Sequence, residues 1–181
     1  MMALVFFVAA VSTATAGTPG SSPTDPAPAG MTLSGIVECG QGYTSHELYD
    51  MKMTLVEIVR GEEAWKRIKE ASPSNKQADP GFDYILACVK FEYYARGTPG
   101  LCLHHLIPDQ FTAYSADGND YKDVAVVPPK PEMRKDLKAG ESLEGWLVFM
   151  VAKEDKAPLM SYAADRGGAI VHGGGKWFVL R

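Results

Sequence analysis

The sequence predicts an all-β sandwich of about seven or eight strands, interrupted by one short helix near residues 62–70. Two patterns carry that expectation. Short segments rich in alternating apolar or β-branched residues recur along the chain with turn residues between them, and one stretch alone has helical periodicity. Composition agrees. The chain has 181 residues, 46 % of them hydrophobic and 22 % charged, with Gly 18 and Pro 12 generous enough for many chain reversals. A chain of this length buries a full core without metal or disulfide staples.

Ala3–Val11 is an apolar run, and Ala14-Thr15-Ala16 follows it with small residues at the two positions a signal peptidase reads. The run is too short to cross a hydrocarbon core as a helix, which takes about 20 residues. Residues 1–16 are therefore expected to be a signal peptide, although no Lys or Arg precedes the run. Residues 17–42 read as a flexible linker and lead-in. The stretch up to Gly30 is Pro/Ser/Gly-rich, with little apolar surface to offset the entropy of ordering. The folded domain is expected over 43–181.

Within the domain, Met51-Lys52-Met53-Thr54-Leu55 alternates apolar and polar, then changes phase through Val56–Val59, which predicts a bulge. Glu62–Glu70 reads as a helix. Acids fill its first turn, Glu62–Lys66 and Glu63–Arg67 are i,i+4 pairs, and Ala64, Trp65 and Ile68 share a face. Ser72-Pro73 stops it. Tyr84–Tyr94 is the next strand. Phe111–Tyr114 and Tyr121–Val127, joined across Asp117-Gly118, read as a hairpin that ends at Pro128. Leu143–Val151 is the strongest strand. Leu143, Leu147, Phe149 and Val151 fall on one side and Trp146, Val148 and Met150 on the other, so both faces need cover. The core supplies one cover, and the helix, through Trp65 and Ile68, is the candidate lid for the other. Pro158–Tyr162 and Lys176–Leu180 supply the last strands.

Val59–Trp65, Asn75, Pro80–Leu86, Phe111, Asp117-Gly118, Tyr121 and Glu144–Phe149 form an ordered series. That series resembles the telokin-like, immunoglobulin-like domain of exported bacterial and archaeal proteins, many of them lipoproteins of unknown function. At the level of fold it is also similar to secreted mycobacterial immunogenic proteins. The resemblance covers roughly residues 45 to 181. It implies an immunoglobulin-like, extracytoplasmic sandwich, secreted or attached to the cell surface, that serves in binding or surface assembly and not in catalysis. No cysteine directly follows the apolar N-terminal run, which favours simple secretion over lipid anchoring.

Candidate chemistry is sparse. Cys39, Cys88 and Cys102 allow one disulfide in three pairings, or buried free thiols. If residues 97–100 form a tight hairpin turn, Cys88 faces a position near 109. Cys102 then lies about 7 residues, or roughly 23 Å, from it, beyond the ~7 Å Cα separation a bridge tolerates. His104 and His105 point to opposite faces of a strand, while Cys102 and His104 share one and could supply half of a zinc site. Nothing in the sequence names the other half, so surface or half-buried histidines are expected instead. No cysteine sits in a recognisable nucleophile turn. Gly173-Gly174-Gly175 lacks the parts of a phosphate loop, and Asp117, Asn119 and Asp120 suit a turn. No catalytic residue, metal ligand or cofactor is therefore assigned. A metal-handling protein and a thiol hydrolase stand as alternatives to a binding module. A net charge of −4 without basic clusters excludes nucleic acid as the expected partner, leaving a protein or cell-surface component.

Overall fold

The computed structural model describes residues 18–40, 46–97, 99–167 and 170–181; the expected signal segment at 1–16 lies outside them. The described chain is all-β with a single α-helix. Its ten strands are β1 (Thr32–Gly40), β2 (His46–Arg60), β3 (Phe82–Ala95), β4 (His104–Leu106), β5 (Phe111–Tyr114), β6 (Lys135–Leu137), β7 (Ser142–Ala152), β8 (Leu159–Tyr162), β9 (Ile170–His172) and β10 (Lys176–Val179). The helix α1 spans Glu62–Ala71. Five strands form an antiparallel sheet in the order β7-β3-β2-β1-β9. Facing it are a three-stranded sheet, β10-β8-β5, and the pair β4-β6. One core fills the space between, from Val37, Tyr49, Met51, Met53, Ile85, Phe91 and Phe149 on the large sheet and Leu106, Phe111, Met160 and Phe178 opposite.

The bulge expected after Leu55 is present, where pairing with β3 shifts between Leu55 and Glu57. It reverses the side-chain phase of β2. Ile58 then turns to the main core and Val59 to the outer face. That outer face lies under α1, whose Ala64 and Ile68 are fully buried against Tyr84, Leu86, Trp146, Val148 and Met150. The two faces of β7 thus have the two covers its pattern requires. Gly61 precedes the helix at φ 70°, a left-handed conformation that a glycine adopts without strain. Arg67 bonds Glu63 at 3.1 Å and also reaches Glu57 at 3.0 Å, tying the helix to β2.

Three expectations need correction. First, the packed unit begins well before residue 43. Residues 18–30 are no free linker: Ala27 is fully buried and its backbone pairs with Trp177 and Val179, while Gly20 accepts from the amide of Trp177. Pro26 and Pro28 restrict the backbone on either side of Ala27, which lowers the cost of laying it beside β10. Strand β1 also lies inside the former lead-in.

Second, residues 121–127 are no strand. Asp120 makes one bridge to Tyr114 and the Tyr121 amide donates to Ala113, but Val124 and Val126 pack against the helix cluster instead. Asn75 holds them there. Its side-chain amide donates to the carbonyls of Ile68 and Val127, and its oxygen accepts from the Val127 amide, each at 2.8 Å.

Third, the chain around Gly97 and Gly100 makes no hairpin from β3. Both edges of β3 are occupied, by β2 and β7, so the chain crosses to the opposite layer and forms β4.

A dithiol end of the sandwich as candidate functional site

Inward alternation along β1 places Cys39 in phase with Leu33 and Val37, at the strand's end. In the crossing segment and at the start of β4, Cys102 and His104 point inward, both buried, while Leu101 and Leu103 point out, 72 % and 50 % exposed. The segment lies against the end of β1. The Cys39 thiol donates to the Leu103 carbonyl at 3.6 Å, and the Cys102 thiol donates to the Cys39 carbonyl at 3.7 Å. All three cysteines are free thiols. Cys88 belongs to the opposite face of the large sheet, beside Glu144.

An anionic anchor holds this crossing in place. One oxygen of Glu47 accepts the amides of Leu101 at 3.0 Å and Cys102 at 3.2 Å, and also the Tyr49 hydroxyl. The Tyr49 oxygen in turn accepts the Cys102 amide at 2.8 Å. The Tyr49 hydroxyl bond, with the two amides, holds the Glu47 carboxyl below its ordinary range. Burial, then Glu47, pushes the Tyr49 phenol up to about 12. Tyr49 stacks on Tyr93 with ring centres 4.4 Å apart. Among the described residues, the Tyr93 hydroxyl alone is a buried side-chain polar atom with no hydrogen-bond partner. Burial, then the nearby Cys39 thiol, raises it strongly.

The histidines behave as a strand dictates. His105 is exposed and pairs with Asp136, whereas His104 is 1 % exposed, more deeply buried than expected. Its ring stacks on Phe91 at 5.1 Å, and its Nε2 shares a 2.9 Å hydrogen bond with the Tyr162 hydroxyl. Burial lowers its pKa to about 4, so it is a neutral core residue near pH 7. Cys102 and His104 therefore share a face without converging on a common point. Among the described residues there is no group of three or more His, Cys, Asp or Glu placed to hold a metal ion.

Burial pushes the thiols of Cys88 and Cys102 up to about 11, which keeps both protonated near neutral pH. The acids of the Asp117 turn are used locally: Ser115 donates to Asp117 and accepts from the Asn119 amide. The glycines at 173 and 174 offer their carbonyls to the buried Lys176 ammonium at 3.0 and 3.3 Å, which closes the turn on itself. A concavity of about 350 Å³ opens at the start of α1, lined by Glu62, Trp65, Asp79, Asp83, Tyr84 and Lys153. Its charges are mixed, and Lys153 lies 3.8 Å from Asp83.

Sequence reasoning singled out Cys39, Cys102 and His104 but not Glu47, Tyr49 or Tyr93. Tyr49 shares the parity of Met51 and Met53, a signal that places it in the core. Nothing local marked Glu47 as the anchor of a segment more than 50 positions away.

Fold and site together define a class: a helix-lidded all-β sandwich with an inward-facing pair of thiols and two outward leucines at one end. No protein-family model, curated protein or solved structure matches this chain.

Proposed function

We propose that the protein is an exported, non-catalytic β-sandwich module that binds a protein or cell-surface component through the end bearing Leu101 and Leu103. The observation that carries this reading is the outward placement of those two leucines on a segment whose inner residues are fixed. Exposed apolar side chains on backbone held by Glu47 and Tyr49 give a contact surface that loses little entropy on binding. The resemblance to telokin-like, immunoglobulin-like domains of exported proteins points the same way, as does the small-residue motif at Ala14-Thr15-Ala16. The protonated thiols of Cys88 and Cys102 weigh against a thiol hydrolase. The commitment of His104 to Tyr162 weighs against a metal carrier built on it.

The test uses the purified protein, fluorescently labelled, added to envelopes of the cells that produce it. Saturable binding is expected, with the Leu101→Ser, Leu103→Ser double variant losing about tenfold or more in affinity, a loss of the size an apolar hot spot gives. Both substitutions are at exposed positions, so an unchanged circular dichroism spectrum controls for folding. Equal binding by the double variant would overturn the reading, as would turnover of a substrate abolished by alkylating the thiols.

A further inference from the structure

We propose that Cys39 and Cys102 are a disulfide-forming pair that, once oxidised, clamps the crossing segment to the end of β1. The inference rests on placement. Each thiol lies against backbone of the other's segment: Cys39 Sγ against the Leu103 carbonyl, and Cys102 Sγ against the carbonyl of Cys39 itself. Both backbones are held by β2, Cys39 by its ladder pairing with Glu47 and Cys102 by amide bonds to the Glu47 carboxylate and the Tyr49 oxygen. The clamp joins two segments already fixed side by side, and side-chain rotation brings the sulfurs together. Above the pair, the Tyr93 hydroxyl is buried without a partner.

The chemistry is exchange with a small aliphatic disulfide, for which oxidised glutathione is the probe. Cys39, only partly buried, is the residue the oxidant reaches first. Its thiolate attacks one sulfur of the oxidant, forming a mixed disulfide and expelling one thiolate. Cys102 gives up its proton and attacks the Cys39 sulfur, which breaks the mixed bond and expels the second thiolate. Two protein thiols lose two electrons and two protons. The oxidant takes them up and leaves as two thiols. Cys88, beside Glu144 on the other face of the sheet, is left out and serves as an internal control.

Closing so long a loop constrains the unfolded chain strongly. The effect does not depend on what the leucine end binds.

The experiment treats the folded full chain with oxidised glutathione, blocks remaining thiols by alkylation and maps non-reduced peptides by mass spectrometry. Expected are a protein lighter by two hydrogens, a Cys39–Cys102 linked peptide and a single alkylated thiol at Cys88. The melting temperature should rise by roughly 5 °C or more, and dithiothreitol should reverse the rise. Cys88→Ser should keep both effects, while Cys39→Ser and Cys102→Ser should each abolish them. Three alkylated thiols, a stable glutathione adduct on Cys39 that never closes, or a linkage through Cys88 would each overturn the proposal.

Discussion

His104 shows how a single side chain ties the core to solution conditions. Its ring is stacked on Phe91 and bonded to Tyr162, and burial holds its pKa at about 4 against an ordinary value of 6.5. Above 6.5 the ring is neutral in both folded and unfolded chains and opposes folding in neither. As pH falls below 6.5, the unfolded chain takes up a proton that the folded one refuses until about pH 4. Stability from this residue is therefore lost progressively between those values, by about 3 kcal/mol at most. Urea unfolding at pH 7 and pH 4.5 should show this loss in the wild type. The His104→Phe variant, which keeps the stack and removes the titration, should have a shallower fall over the same interval. An equally steep fall in the variant would place the acid sensitivity elsewhere.

At the scale of elements, two pieces of chain decide whether the large sheet is covered. The helix α1 covers its outer face, and Ile68 is the fully buried centre of that contact. Ile68→Ala should cost about 2–5 kcal/mol, the usual range for emptying such a site, read from the shift in denaturant midpoint. An effect below 0.5 kcal/mol would mean the helix does not dock. This element was legible in the sequence because its signals are local: acids at its start, Ser72-Pro73 at its end, and apolar residues at helical spacing.

The segment 18–30 was not legible. Its prolines and glycines carry the composition of a tether, yet Ala27 is buried and its backbone pairs with Trp177 and Val179 of β10. Hydrogen exchange separates the two readings. The amides of Ala27, Trp177 and Val179 should exchange slowly and together, whereas a tether would leave Ala27 exchanging at the rate of an unstructured peptide.

Across the whole molecule, alternation revealed which face each residue takes but not which distant strand it meets. Leu147, Phe149 and Val151 of β7 go to one core and Val148 and Met150 to the other, as their phase requires. β1 escaped notice because Gly35 breaks its pattern. The structure accounts for that glycine, since a Cβ there would stand 2.8 Å from the aliphatic chain of Lys176, supplied by the far end of the sequence. The dithiol end escaped for the same reason. Cys39, Glu47, Tyr93 and Cys102 come together only when β1, β2, β3 and the crossing segment are all in place. Long-range pairing of this kind leaves no local trace, whereas bulges, helix ends and two-faced strands do.

The leucine end is the surface proposed to meet a partner. The most direct measurement is site-specific photo-crosslinking in the producing cells, with a benzophenone amino acid replacing Leu103 in one protein and Val56, exposed at the β2 bulge, in another. A discrete adduct at 103 and none at 56 is the expected result. Adducts of equal yield at both positions, or at 56 alone, would contradict it.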